Sequence, residues 1–187
     1  MDMHTLIKAA KCEILKGYFK GILFCNTHEN NPIKKGKIGD FHVINTDGVE
    51  RGEHWFTIVR GSNMWILLDC SVLTPISKYN SIKSRLNIPL IIDRNQIEGF
   101  NSLLCGEFSL MAAIQMTRVL REHPELNYLT YPKNFYSTNV SKYVGGMKTS
   151  DADAFVFKYI YTTLAPVLNI RPEKVVEVKK WLKYKIK

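Results

Sequence analysis

The chain has few cysteines and no long apolar run, and each absence excludes a class of protein. Only four of its 187 residues are cysteine, and their spacing is neither paired nor typical of metal ligands. A disulfide framework or a structural zinc site is therefore not expected, and the thiols suit a reducing compartment. No apolar stretch approaches the ~20 residues of a membrane span, and the N-terminus lacks a secretory signal pattern. We expect a protein that is neither secreted nor embedded in a membrane.

Acidic residues are also scarce relative to basic ones, with 17 Asp and Glu against 26 Lys and Arg, a net charge of +9. The composition is otherwise that of a globular protein, and the length predicts a single domain over residues 1–187. Positive charge of this size is compatible with non-specific DNA binding. For Lys34, Lys35 and Lys37, in a loop predicted over 26–39, a solvated connection is favoured over a nucleic-acid contact.

The basic charge is concentrated at the C-terminus. Residues 171–187 hold seven Lys or Arg and two Glu, with apolar residues at helical spacing between them. Such a helix has three interpretations: docking on its own domain, contact with nucleic acid, or lying on a membrane surface. Docking is favoured because the apolar stripe includes Trp181, which would otherwise lie in water. A docked helix can still present its lysines to DNA.

The most informative stretch is residues 95–120, where a polar turn leads to Cys105 and then to a helix predicted over 106–120. That helix has almost no polar face, which predicts that it is buried. Cys105 lies at its first turn, where free backbone N–H groups and the helix dipole favour a thiolate. A small buried hydrophobe is the alternative, and it is the interpretation preferred for Cys12, Cys25 and Cys70.

A histidine and an acid precede this cysteine in a predicted hairpin. His54 begins one strand, Asp69 ends the next, and the turn over 60–63 joins them, so the two side chains can be neighbours. The order His, Asp, Cys supplies a general base, a group that orients it, and a nucleophile. The alternative for His54 is a surface histidine, which is what we expect of His4, His28, His42 and His123.

These residues resemble the motifs of the adenovirus maturation protease family, the adenain-like cysteine proteases of DNA viruses and virophages. The likeness rests on Gly52-Glu53-His54-Trp55, on the strand that ends at Asp69, and on Gly99-Phe100-Asn101-Ser102-Leu103-Leu104-Cys105-Gly106. The resemblance implies that His54, Asp69 and Cys105 form a catalytic triad and that Trp55 and Asn101 border the substrate groove. The triad acid in this family is commonly Glu, so the Asp69 side chain is one methylene shorter than the usual one.

The resemblance also implies a function: an endopeptidase that cuts viral capsid and core proteins after small residues, near Gly-Gly or Gly-x, during virion maturation. It would act in the virion and the host-cell interior, as a monomer that requires no metal. Relatives can link an activating peptide to a cysteine, but Cys70 is at the wrong end of the segment, so no covalent peptide cofactor is expected. DNA is kept as a non-specific activator. The alternatives are a protease of ubiquitin-like modifiers and a non-catalytic, DNA-associated virion protein on the same fold.

Two further sites are tied to this resemblance. The position seven residues before Cys105 is Glu98, where the family has a glutamine that donates to the oxyanion. Either Glu98 is protonated there, or Gln96 on the same side of an extended strand takes its place; we slightly favour Gln96. Gly145-Gly146 resembles a cleavage site, but a flexible turn is the preferred interpretation.

The remaining elements complete an α+β prediction, with a central, mostly antiparallel sheet packed on the buried helix that carries Cys105 at its N-terminus. Hydrophobic periodicity predicts helices and strands but leaves residues 126–151 as a surface excursion. The further predicted helices span 3–19 and 152–168, and the further strands span 41–46 and 88–93, with partial helix over 71–86.

Overall fold

The computed structural model describes residues 23–26, 31–33, 36–46, 54–98, 104–136, 155–156 and 158. These residues form one five-stranded sheet and two long helices. The helices predicted over 3–19 and 171–187, as well as Asn101 and Gly145-Gly146, lie outside them, and the 152–168 helix is described only at three helical residues. In chain order the elements are β1 (Leu23–Asn26), β2 (Phe41–Asn45), β3 (Trp55–Arg60), β4 (Trp65–Asp69), α1 (Ile76–Lys83), β5 (Leu90–Arg94) and α2 (Cys105–Glu122).

The sheet has the order β1-β2-β3-β4-β5. The three central strands are antiparallel neighbours, as the hairpin pattern predicts, but β1 pairs parallel to β2 and β5 pairs parallel to β4. The α+β class is confirmed, whereas the sheet is mixed rather than mostly antiparallel. The reason at β5 is that the chain returns to the sheet through α1, and a crossover brings the next strand back in the same direction. β1, at the start of the predicted loop, is only four residues long and too short to show a period.

Both faces of the sheet are covered, which is why the described positions of β2 and β4 are buried throughout. Side chains alternate along a strand, so the residues divide into two clusters. On one face, Val59, Ile66 and Leu68 pack with residues of α2 such as Phe108 and Met111. On the other face, a second cluster packs under α1: Ile44, Phe56, Ile58, Trp65, Leu67, Tyr79 and Ile82.

Helix α2 is buried over nearly all of its first two-thirds, as its sequence predicts. It packs chiefly on β3. Gly39 lies against it with a φ of +89°, and a Cβ at this residue would be 3.0 Å from Thr117 Cγ2 and 2.9 Å from Arg121 Nε. The Gly39 carbonyl also accepts a hydrogen bond from Thr117 Oγ1 at 2.8 Å. The loop before β2 is therefore attached to α2 at a residue that has no room for a side chain.

The first part of the predicted surface excursion is anchored to the core, which corrects the prediction for residues 126–136. Tyr131 and Tyr136 are buried, and both bind the buried carboxylate of Asp93 in β5. The Tyr131 hydroxyl donates to Asp93 Oδ2 at 2.8 Å, and the backbone N–H of Tyr136 donates to the same oxygen at 2.7 Å. A single acid in an edge strand thus holds a segment that is otherwise mostly exposed.

The prediction of a surface position is wrong for His42 and correct for His123. His42 lies in β2, is buried, and stacks edge-on against Trp65 with 5.4 Å between ring centroids. Burial first, and the charge of Arg85 second, lower the pKa of His42 to about 4, so this imidazole is neutral at pH 7. His123 follows α2 and is exposed. Cys70 is a buried thiol, as predicted.

Candidate active site

His54 and Asp69 meet at one end of the sheet. His54 immediately precedes β3, Asp69 is the last residue of β4, and the antiparallel register of these two strands brings the two positions together. His54 Nε2 lies 2.9 Å from Asp69 Oδ1. The Asp69 side chain is fully buried, while 17% of the His54 side chain is exposed. One edge of the imidazole is therefore held by a buried acid, and its other ring nitrogen faces the remaining groups of the site.

Cys105 is the first residue of α2 and remains partly exposed, unlike the residues that follow it. The N-cap residue, Leu104, makes no side-chain capping hydrogen bond. The N–H groups of the first turn point toward the end of the helix that carries the Cys105 thiol. The carbonyl of Leu104, the residue just before the helix, accepts a hydrogen bond from Phe108 N at 2.9 Å. An electropositive, partly exposed helix N-terminus is the environment in which a cysteine becomes reactive.

The imidazole of His54 binds its proton far more tightly than an ordinary histidine. Burial alone would lower its pKa, but hydrogen bonds to the side chains of Asp69 and Cys105, with the charges of these two groups, outweigh burial and raise the pKa from 6.5 to about 10. Nε2 is occupied by Asp69, which leaves Nδ1 as the ring nitrogen available to Cys105. His54 is thus an imidazolium at neutral pH, placed between a carboxylate and a thiol.

The two residues considered for the oxyanion site have different surroundings. The Gln96 amide is engaged by two backbone groups: its Oε1 accepts from Val72 N, in the loop after β4, at 3.1 Å, and its Nε2 donates to Glu98 O at 2.7 Å. The Glu98 side chain is buried, and its Oε1 lies 3.8 Å from His54 Nδ1. Glu98, rather than the slightly favoured Gln96, therefore faces the reactive end of the imidazole.

The backbone of the loop fixes Glu98 in this position. Ile97 N donates to Cys70 O at 2.9 Å, Glu98 N donates to the same carbonyl at 3.3 Å, and Asn95 N donates to Asp69 O at 3.1 Å. The loop continues the pairing of β5 with the end of β4, so Glu98 is held beside the acid of the hairpin. Trp55, assigned to the groove, is nearly buried in the core at the start of β3.

The sequence did not indicate the residues that surround Asp69. Its carboxylate also accepts hydrogen bonds from the N–H of Ser71, the hydroxyl of Thr74 and the hydroxyl of Tyr79. Nothing in the spacing of these three residues distinguishes them from ordinary loop and helix residues. They become visible as part of the site only when α1 is placed against the sheet.

Within the described part of the chain there is no group of three or more His, Cys, Asp or Glu side chains that could hold a metal ion. Neither described helix is at once long and apolar enough to cross a membrane. No family model matches this chain, and no curated protein matches it at a significant level.

Proposed function

We propose that this chain is a cysteine endopeptidase in which Cys105 is the nucleophile, His54 its acid–base partner and Asp69 the group that orients His54. The observation that carries the proposal is a single imidazole held at 2.9 Å on Nε2 by a buried carboxylate, with its pKa raised by both that acid and Cys105, which lies at a helix N-terminus. This arrangement supports a thiolate–imidazolium pair, the activated form of a catalytic cysteine.

The reaction is acyl transfer to sulfur and then to water. The Cys105 thiolate attacks the scissile carbonyl carbon, and the resulting oxyanion collapses as the C–N bond breaks and His54 gives its proton to the leaving amine. His54, now neutral, takes a proton from water, which attacks the thioester carbonyl and releases the acid. The proton then remains on His54, and the thiolate is regenerated.

Glu98 is the group proposed to bind the oxyanion, in its protonated form. An ionised carboxylate at this site would repel the developing oxyanion instead of binding it. A neutral carboxyl can instead donate its O–H, as an amide would. The backbone N–H of Cys105, at the start of α2, is the second donor.

The proposed substrates are viral capsid and core precursor proteins cut after small residues, because the Gly99 to Gly106 motif and His54-Trp55 resemble those of virion maturation proteases. DNA is the proposed non-specific activator. Residues 99–103 of the motif lie outside the described part of the chain.

The first prediction tests the triad with peptide substrates that contain an internal Gly-Gly or Gly-x site. Cys105→Ala and His54→Ala should each lower kcat by several orders of magnitude, while Asp69→Asn should retain measurable activity because Asp69 only orients the imidazole. The readout is hydrolysis, with mass spectrometry of the new termini and circular dichroism to show that each variant is folded. Undiminished hydrolysis by Cys105→Ala would rule out the proposed function.

A further inference from the structure

The carboxylate of Asp69 accepts four hydrogen bonds, two on each oxygen. Oδ1 accepts from His54 Nε2 at 2.9 Å and from Ser71 N at 2.8 Å. Oδ2 accepts from the hydroxyls of Thr74 and Tyr79, each at 2.7 Å. A carboxylate has about four lone-pair positions, so every position is filled by a donor. The two hydroxyl bonds are as short as the bonds that ionised acceptors usually make.

The hydroxyls reach Asp69 from the face of the sheet that α2 does not cover. Trp65, Leu67 and Asp69 alternate onto the face under α1, and Tyr79 projects from α1 toward that face. The Tyr79 ring is buried and packs edge-on against Phe56, with 5.4 Å between centroids. The other side of the Tyr79 ring lies 5.7 Å below the guanidinium of Arg94.

Thr74 is held by Arg94, which also lies over the Tyr79 ring. Thr74 is buried in the loop between β4 and α1, and its carbonyl accepts a hydrogen bond from Arg94 Nη1 at 3.2 Å. Both hydroxyls are therefore positioned by contacts other than their hydrogen bonds to Asp69. The torsion that turns a carboxylate about its Cβ–Cγ bond is soft, so the orientation of Asp69 depends on such partners.

We propose that Thr74 and Tyr79 are positioning residues: they lock the Asp69 carboxylate so that Oδ1 stays on His54 Nε2, and α1 thereby supports catalysis without contacting substrate. The link to catalysis rests on the proposed function, but the locking of the His54–Asp69 pair does not. Burial first and the Asp69 charge second raise the pKa of the Tyr79 hydroxyl far above neutrality, so the group keeps its proton and donates it to the Asp69 carboxylate. Its bond to Asp69 therefore has one direction at every working pH.

Several charged or titratable groups face the His54–Asp69 pair and stay constant in a comparison of variants at Thr74 and Tyr79. Glu98 and Cys105 face His54 from the loop before α2 and from α2 itself. Arg94 of β5 faces Tyr79, and the buried thiol of Cys70 follows Asp69. A change in the titration of His54 on replacing only the two hydroxyls is therefore assigned to Asp69.

The test is the titration of the His54 imidazole by NMR in the full-length chain and in a Thr74→Val/Tyr79→Phe variant, which keeps both side-chain shapes. Without the hydroxyls, the carboxylate turns, and because a hydrogen bond weakens steeply with angle, the imidazolium loses its partner. The pKa of His54 should fall by about one pH unit, a tenfold loss in proton affinity. The Thr74→Ser/Tyr79→Phe variant keeps one hydroxyl, so its His54 pKa should lie between that of the wild type and that of Thr74→Val/Tyr79→Phe.

Tyr131→Phe is the matched control, because the Tyr131 hydroxyl makes an equivalent buried bond of 2.8 Å to an aspartate, Asp93, which is not among the groups that shift the pKa of His54. This variant has the same loss of a tyrosine–aspartate bond and should leave the His54 titration unchanged. If the double variant does not fold, the single variants Thr74→Val and Tyr79→Phe are titrated instead, each with a smaller fall expected.

Peptide hydrolysis separates the inference from the proposed function. In an active wild type, Thr74→Val/Tyr79→Phe should lose about tenfold in kcat with KM unchanged, because only the orientation of the base is affected. If the His54 pKa and kcat are both unchanged in the Thr74→Val/Tyr79→Phe variant, the positioning role alone is overturned. A wild-type chain that cleaves no peptide, yet whose His54 titration shifts as described, would overturn the proposed function and leave the positioning role standing.

Discussion

At the scale of single residues, the imidazole of His54 has a carboxyl group on each side and a thiol close enough to raise its pKa. Asp69 binds Nε2 directly, whereas Glu98 is 3.8 Å from Nδ1, the nitrogen available to Cys105. An ionised Glu98 would compete with the Cys105 thiolate for the Nδ1 proton. A protonated Glu98 would not, and its O–H could donate to the oxyanion. Two residue-scale predictions follow from this geometry.

The second prediction concerns Glu98 and Gln96. Glu98→Gln should keep activity near that of the wild type, because an amide can donate to the oxyanion in place of a protonated carboxyl. Glu98→Ala should lose about 10²-fold in kcat, the usual cost of removing an oxyanion donor. Gln96→Ala, the matched control, should change kcat little, since its amide is engaged in the loop. The opposite pattern, a silent Glu98→Ala and an inactive Gln96→Ala, would return the role to Gln96.

The third prediction concerns stability and pH. The folded-state pKa of His54 is raised to about 10 from 6.5, so its contribution to the unfolding free energy is fully present below pH 6.5 and is lost as pH rises toward 10. The difference in urea unfolding free energy between the wild type and His54→Gln should therefore shrink from pH 6 to pH 9. A difference that is constant over this range would show that the folded state does not raise the proton affinity of His54.

At the scale of elements, the site is assembled from parts that approach the sheet from opposite faces. α2 brings Cys105 to the end of the sheet from one side, and α1 brings the Tyr79 hydroxyl from the other. The β3–β4 hairpin between them carries His54 and Asp69. The position of α2 on the sheet therefore sets the distance between nucleophile and base, and Gly39 is one of its points of attachment.

The fourth prediction tests that attachment. Gly39→Ala should destabilise the fold by about 1–3 kcal/mol, because a left-handed φ of +89° is strained for alanine and its Cβ would be within 3.0 Å of α2 atoms. Thermal unfolding measures the loss. Gly61→Ala is a useful comparison, since the nearest atoms to a Cβ there belong to the flexible Met64 side chain at 3.1 Å and its φ is not in the left-handed region. Equal stability of the two variants would contradict the role assigned to Gly39.

At the scale of the whole molecule, the net charge of +9 is the property most relevant to a partner. Over half of that excess comes from residues 171–187, which lie outside the described part of the chain. A charge of this kind binds the phosphate backbone without reading its sequence, so affinity depends on released counterions.

The fifth prediction is therefore a steep salt dependence of duplex DNA binding, measured by fluorescence anisotropy. Affinity should fall by at least tenfold between 50 and 200 mM salt for several phosphate contacts. A Lys179→Glu/Lys180→Glu/Lys183→Glu variant should bind more weakly and with a shallower slope, while Lys34→Glu/Lys35→Glu, in the predicted solvated loop, should change little. Affinity that is indifferent to salt would remove DNA from the proposed partners.

Much of this architecture follows from local pattern. The alternation in residues 41–45 and 55–69, the turn between the two strands of the hairpin, and the apolar run after Cys105 are short-range signals that specify a hairpin and a buried helix. The proximity of His54 to Asp69 follows as well, since a hairpin joins the ends of its two strands. These predictions depend only on residues that are close in the chain. Within such a segment, the spacing of apolar side chains distinguishes a helix from a strand.

Other features depended on contacts between distant segments. The parallel direction of β1 and β5, the burial of His42 and the anchoring of residues 126–136 by Asp93 each follow from what packs against them, which no local period encodes. The choice between Gln96 and Glu98 is of the same kind, because side-chain direction in an irregular loop is set by its backbone hydrogen bonds to Cys70. The set of four donors on Asp69 also depends on tertiary packing, because only the packing of α1 on the sheet brings the Tyr79 hydroxyl to 2.7 Å from the acid.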